Sequence, residues 1–296
     1  MITEKKTIFK GVCTALITPF KDGKIDYDSL QKIIEFQIEQ GVDALLINGT
    51  TGESATLSEN EKKELISFAV HEVGGRVPII AGTGSNCTQK AIKLSRFASK
   101  VGSDAILVVT PYYNKASNEG LINHYETIAN AVDVPIILYN VPSRTGVNLG
   151  FNLLERLSEH PNIVALKEAS DSTDRLVTLA SMTDKLTLYA GNDSQIYPTL
   201  ALGGRGVISV MSNLLPKTTH ELCESYFEGK TAESLALQLQ LLPFIRSLFL
   251  ETNPAPIKYA MSEKGFCTPE VRLPLAEPRE STREEIQKVL RELEGL

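Results

Sequence analysis

Eight short segments rich in apolar and β-branched residues recur along the chain: Gly11–Thr18, Ala44–Asn48, Val77–Ala81, Ala105–Thr110, Pro135–Asn140, Ile163–Ala169, Thr187–Gly191 and Gly206–Met211. Most are continuous apolar runs rather than alternating ones, the pattern of strands buried on both faces of a parallel sheet. Between them, stretches such as Tyr27–Gln40, Glu59–Glu72, Thr88–Lys100, Gly120–Val132 and Asp171–Met182 space their apolar residues along one helical face. Strand starts follow one another at intervals of roughly 20 to 33 residues, the length of a strand plus a crossover helix. Eight such units predict an α/β fold of the (β/α)8 barrel type. The rival, a doubly wound open sheet, lacks its usual signature: no G-x-G-x-x-G follows the early strands and no Walker A sequence is present.

From about Lys230 the strand signal stops, and the helical patterns Thr231–Leu250, Pro254–Lys264 and Ser281–Leu296 take over. The expected organisation is a catalytic barrel over residues 1–229 and an appended helical domain over residues 230–296. With 42% hydrophobic and 22% charged residues the composition is that of a globular protein. The formal net charge of −6 argues against a general attraction to nucleic acid or to an anionic membrane. Met1–Gly11 carries charges but no apolar core, and no run approaches the length of a membrane span, so a cytoplasmic location is expected. Cys13, Cys87, Cys223 and Cys267 lie far apart and read as reduced thiols. The four histidines show no metal-ligand spacing, so neither a metal nor a cofactor is expected.

In a barrel of this kind chemistry belongs to the C-terminal ends of the strands, where side chains from all eight converge. Unusual residues gather there: Asn48–Ser54 after the second segment, Gly82–Asn86 after the third, Thr110–Asn114 after the fourth, Tyr139–Gly146 after the fifth and Gly191–Asp193 after the seventh. Lys167 is the sharpest of them, because it sits inside the apolar run Ile163-Val164-Ala165-Leu166-Lys167-Glu168-Ala169. By the two-residue period it shares a face with Ile163 and Ala165, while Glu168 shares the other with Val164 and Leu166. One reading is a lysine at a strand end paired with a carboxylate. The other is a Schiff-base nucleophile, since burial disfavours the charged amine and lysine, unlike arginine, gives up its proton readily. Gly49-Thr50-Thr51-Gly52 fits either an ordinary capped turn or a cradle of N–H groups and hydroxyls for a carboxylate, assisted by the N-terminus of the following helix. Tyr112, Tyr113 and Tyr139 read either as packing aromatics or as proton carriers, and Arg144 as a surface arginine or an anion receptor.

The segments GVCTALITPF (Gly11–Phe20), GTTGES (Gly49–Ser54), AGTGSN (Ala81–Asn86), VTPYYN (Val109–Asn114), YNVPSRTG (Tyr139–Gly146), ALKEA (Ala165–Ala169), GND (Gly191–Asp193), GGRGVISV (Gly203–Val210) and NPAPIK (Asn253–Lys258) occur in order. Together they resemble the dihydrodipicolinate synthases, within the N-acetylneuraminate lyase superfamily. The resemblance implies a barrel with a C-terminal helical domain and a homotetramer built as a dimer of dimers. It also implies condensation of pyruvate with L-aspartate-4-semialdehyde. By position, Lys167 corresponds to the imine-forming lysine, Thr50 and Tyr139 to two members of a proton relay, and Tyr113 to the third, supplied by a neighbouring subunit. Thr51, Gly191 and Ile208 correspond to pyruvate-site positions and Arg144 to the receptor for the semialdehyde carboxylate.

Arg144 weighs against a neuraminate lyase or a keto-deoxy-sugar-acid aldolase, which must hold a polyhydroxylated chain. Intact catalytic residues weigh against a silent sensor or scaffold. In lysine-inhibited members the resemblance places an effector site at Asn86 and Tyr112, both kept here. Lys62 and Lys90 replace that site's histidine and glutamate, which implies weak or absent lysine feedback, since two cations repel a cationic effector.

Overall fold

The computed structural model describes residues 7–293. Its strands are β1 (Gly11–Ala15), β2 (Phe20–Lys21), β3 (Lys24–Ile25), β4 (Ala44–Ile47), β5 (Ile79–Gly82), β6 (Ala105–Val109), β7 (Ile136–Asn140), β8 (Ile163–Glu168), β9 (Thr187–Ala190) and β10 (Gly206–Ser209). All but β2 and β3 are parallel and close into an eight-stranded barrel, with β1 pairing both β4 and β10. These eight fall on the eight expected segments. β2 and β3 form a separate antiparallel hairpin that strand patterning does not reveal, because each is only two residues long. Its signal is the Asp22-Gly23 dipeptide, whose positive φ values of 54° and 77° give the two-residue turn that favours such pairs.

The continuous apolar runs are explained by two layers. Inside the barrel lie Cys13, Ala15, Leu46, Ile80, Leu107, Ile137, Tyr139, Ala165, Tyr189 and Ile208. Their alternate neighbours, such as Val12, Leu45, Ile79, Ile106, Leu138, Leu166 and Val207, face outward against the helices. Each such side chain removed from water contributes on the order of 2 kcal/mol. Phe9 plugs the end where the strands begin: its ring stacks on Tyr189 at 4.2 Å, and the Tyr189 hydroxyl donates to the Phe9 carbonyl at 2.7 Å.

Helices alternate with the strands as expected, among them Tyr27–Glu39, Glu59–Val73, Thr88–Val101, Asn118–Ala129 and Thr173–Ala180. Four are additional to the expected set: Pro142–Thr145, Phe151–Ser158, Ile196–Ala201 and Pro216–Phe227. The first three are too short for a clear apolar repeat, and the fourth buries Thr219 beside Leu222 and Cys223, which blurs its periodicity. After a turn at Gly229 (φ 82°) come Thr231–Ser247, Ala255–Glu263 and Glu280–Leu293. The expected last helix runs to Leu296, and its final three residues lie outside the described residues. These C-terminal helices contribute Leu241, Phe244, Ile257, Met261 and Ile286 to the same apolar cluster that backs the strands.

One expectation about β8 is corrected. Ile136 of β7 pairs with Ile163, but Ile137 pairs with Ala165, so Val164 is an extra residue in the ladder. Such a bulge resets the alternation of faces. Ile163 therefore packs outward, whereas Val164 and Ala165 both belong to the interior. Lys167 shares the inner face with Ala165 but not with Ile163.

Candidate active site

At the C-terminal ends of the strands a cavity of about 490 Å³ opens, lined by Thr50, Thr51, Tyr139, Arg144, Lys167 and Gly191, by Ile245 of the helix Thr231–Ser247 and by Asn253 from the turn before the next helix. β8 delivers Lys167, whose ladder neighbours are Tyr139 of β7 and Tyr189 of β9. Its Nζ sits 4.4 Å from the centre of the Tyr139 ring, and the residue is 5% exposed.

The carboxylate next to it in sequence is not its counterion. Glu168 lies on the outer face, where it accepts from Arg175 Nε (2.9 Å), from the Asn140 amide (2.9 and 3.0 Å) and from the Ser170 N–H (2.9 Å). Lys167 has no ion-pair partner among the described residues. Cys13 lies in the interior below, where burial pushes its thiol up, against the opposing influence of the Lys167 charge.

The Gly49–Gly52 segment departs from the expected strand-to-helix turn. The next helix begins only at Glu59, and its N-terminus is closed by the reciprocal Ser58–Glu61 capping box. Residues 50–56 instead form successive turns, with Glu53 N donating to Thr50 O at 3.1 Å and Thr56 N to Glu53 O at 3.0 Å. A buried strut holds them: Lys258 Nζ donates to Glu53 Oε1 at 2.7 Å, and the Arg272 N–H donates to Glu53 Oε2 at 3.0 Å. Burial pushes the Lys258 ammonium down from the usual lysine range, opposed by the Glu53 charge.

Asn253, to which the sequence assigns no role, joins two of the site residues. Its amide donates to Thr51 Oγ1 at 3.0 Å, and its carbonyl accepts from Arg144 Nη2 at 3.1 Å. The available signal was the NPAPIK segment, whose Asn253–Pro254 bond is cis. Gly191 is required by space: a Cβ there would lie 2.6 Å from the Ala169 Cβ and 2.7 Å from the Glu168 carbonyl oxygen.

Two expected site residues lie elsewhere. Ile208 is fully buried in the barrel interior, level with Cys13, and Ala15 and Val210 form the cavity wall above it. Tyr113 is 90% exposed, with φ 75°, and lines no cavity of its own subunit among those described. Two of the four expected effector-site positions lie near it: the Asn86 carbonyl accepts from Asn114 Nδ2 at 3.0 Å, and Tyr112, the preceding residue, is exposed. Lys62 lines a small cavity of about 40 Å³ that also touches Thr50 and Tyr139. Burial, followed by the charge of Lys90, pushes its ammonium down.

The fold and this lysine-lined cavity at the strand ends define a (β/α)8-barrel enzyme. The model of the dihydrodipicolinate synthetase family matches residues 8–293, and the chain belongs to that family. It is 48% identical over 285 residues to a 4-hydroxy-tetrahydrodipicolinate synthase of Clostridium novyi, covering 96% of each chain. Among solved structures, the dihydrodipicolinate synthase of Thermotoga maritima superposes with a TM-score of 0.95 at 43% identity, covering 97% of this chain and 99% of the other. The chloride-inhibited dihydrodipicolinate synthase of Acinetobacter baumannii, complexed with pyruvate, superposes with a TM-score of 0.94 at 41% identity, covering 96% and 98%.

Proposed function

We propose that the protein is a 4-hydroxy-tetrahydrodipicolinate synthase, a lyase that condenses pyruvate with L-aspartate-4-semialdehyde in diaminopimelate and lysine biosynthesis. The observation that carries this reading is a buried lysine, without an ion-pair partner among the described residues, whose Nζ lies over the Tyr139 ring at the mouth end of the barrel. A lysine amine that faces a cavity of this size is placed to add to the carbonyl carbon of a small substrate.

The neutral Lys167 amine adds to C2 of pyruvate, and loss of water leaves an imine. Removal of a proton from C3 gives the enamine, whose carbon attacks the aldehyde. The amine of the second substrate then attacks the imine carbon, releasing Lys167 and closing the six-membered ring. Tyr139 and Thr50 pass the protons, with Tyr113 of a neighbouring subunit completing the relay. An isolated tyrosine with a pKa of about 10 is a poor shuttle near neutral pH without partners.

The exposure of Tyr113 in a single subunit supports its acting across an interface, in a homotetramer that is a dimer of dimers. Thr51 and the backbone at Gly191 hold the pyruvate carboxylate, with Ile208 in the layer beneath. The Arg144 fork takes the carboxylate of the semialdehyde. We place the domain boundary at residues 229 and 230. No described helix is long and apolar enough to cross a membrane, and we assign the enzyme to the cytoplasm.

Borohydride reduction in the presence of pyruvate, followed by peptide mass mapping, tests the reading. The expected result is a stable adduct on Lys167, with turnover of aspartate semialdehyde far exceeding that of N-acetylmannosamine or glyceraldehyde. An adduct elsewhere, no adduct, or a preference for the sugar-derived aldehydes would overturn it.

A further inference from the structure

The cavity wall carries two carboxylates, Asp171 and Asp193, and three cationic side chains, Lys167, Arg144 and Arg246. The two carboxylates differ in what they have left to give. Asp193 is buried, and its Oδ2 accepts from the backbone N–H groups of Val210 (3.0 Å) and Met211 (2.9 Å). That oxygen holds the segment that follows β10, and Oδ1, although without a partner among the described residues, is sealed from solvent. Asp171 is exposed at the cavity mouth, between the end of β8 and the helix Thr173–Ala180. Its Oδ1 accepts from Asn192 Nδ2 at 3.2 Å, which fixes the direction of the side chain. No cation among the described residues forms an ion pair with it.

The second substrate of the proposed reaction is an α-amino acid, with ammonium and carboxylate attached to one carbon. A rim bearing only cations would bind the carboxylate and repel the ammonium, which is unfavourable. Arg144 lies in the short helix Pro142–Thr145 that follows β7 and Asp171 in the loop after β8, and these strands are hydrogen-bonded neighbours. Opposite charges on adjacent connections at one mouth match a group that carries both charges on one carbon.

We propose that Asp171 receives the α-ammonium of the semialdehyde, so that Arg144 and Asp171 together select an amino-acid aldehyde over its deaminated analogue. This rests on the reading of Lys167 and Arg144 given above. The ammonium is held while its carboxylate is fixed by Arg144, and the aldehyde is left pointing inward toward the enamine. An analogue without the amine gains nothing from Asp171.

The test is Asp171→Asn, which keeps an oxygen for the Asn192 amide and removes only the charge. The expected result is a rise of about tenfold in KM for aspartate semialdehyde, the size of one charge-assisted hydrogen bond. The KM for pyruvate, the borohydride-trapped adduct and the inhibition constant of succinic semialdehyde should stay unchanged, and Asp171→Glu should recover part of the loss. A KM for aspartate semialdehyde that stays put, or an equal change for both semialdehydes, would overturn the role of Asp171. Wild-type protein that forms the pyruvate adduct but does not turn over aspartate semialdehyde would overturn the underlying reading as well, a result visible before any variant is made.

Discussion

Lys258 and Glu53 make an ion pair of 2.7 Å with neither side chain reaching solvent, linking the helix Ala255–Glu263 to the turns that carry Thr50 and Thr51. Phe20 lies between two cations, with its ring centre 4.1 Å from Lys258 Nζ and 4.4 Å from the Arg272 guanidinium carbon. Removing one partner of such a pair strands a buried charge, which costs about 3–5 kcal/mol, whereas neutralising both is far milder. Lys258→Met should therefore lower stability by about that amount in urea unfolding, and Glu53→Gln combined with Lys258→Met should recover a large part of it. A double variant no more stable than Lys258→Met would show that the charges are not coupled.

Arg144 is tied to the Asn253 carbonyl through a single guanidinium nitrogen, which leaves the rest of its fork for a ligand. Arg144→Ala should raise the KM for aspartate semialdehyde by about thirtyfold, equivalent to roughly 2 kcal/mol of charge-assisted hydrogen bonding. Formation of the pyruvate imine should be nearly unaffected. Equal damage to both steps would remove the assigned role.

Tyr113 projects into solvent from a single subunit. If it completes a neighbour's site, mixing Tyr113→Phe with Lys167→Ala subunits should restore activity that neither variant shows alone. Absence of recovery, with subunit exchange demonstrated by mass spectrometry, would exclude that geometry.

The half-buried Lys62 ammonium feels the charge of Lys90, and a basic effector placed beside both would be repelled. L-lysine should therefore inhibit weakly or not at all. Inhibition at micromolar concentrations in a steady-state assay would contradict this.

Burial pushes His124 down to about 4, with its Nδ1 against the Thr88 hydroxyl at 2.9 Å. The unfolded chain, with a histidine near 6.5, binds this proton first. Stability should then fall as pH drops from about 6.5 to about 4, by up to about 1.4 kcal/mol per pH unit for this one group. Thermal unfolding of the wild type and His124→Leu across that range should show the wild type losing stability relative to the variant toward acid pH. A constant difference would mean that the ring does not titrate there.

The barrel is legible in the sequence because burial on both faces leaves uninterrupted apolar runs, and eight of them at crossover spacing admit few topologies. Lys167 stands out for the same reason, as a charge inside such a run. What escapes is the hairpin of β2 and β3, too short for any period, and the bulge at Val164, because an inserted residue looks like any other member of an apolar run. Asn253 escapes for a different reason. Its contacts to Thr51 and Arg144 span 202 and 109 residues, and no local pattern encodes an encounter at that distance.

The extra residue at Val164 separates two side chains that a regular strand would place otherwise. Past the insertion, the pleat turns Lys167 into the cavity and Glu168 outward to Arg175. Were β8 to pair without the insertion, in step from Ile163 onward, Leu166 would stand opposite Tyr139, and Lys167 would stand opposite Asn140 on the outer face. The arrangement of the site, base inside and acid outside, depends on a single count along the backbone: the inserted residue sets Lys167 back by one position, from the outer face to the inner.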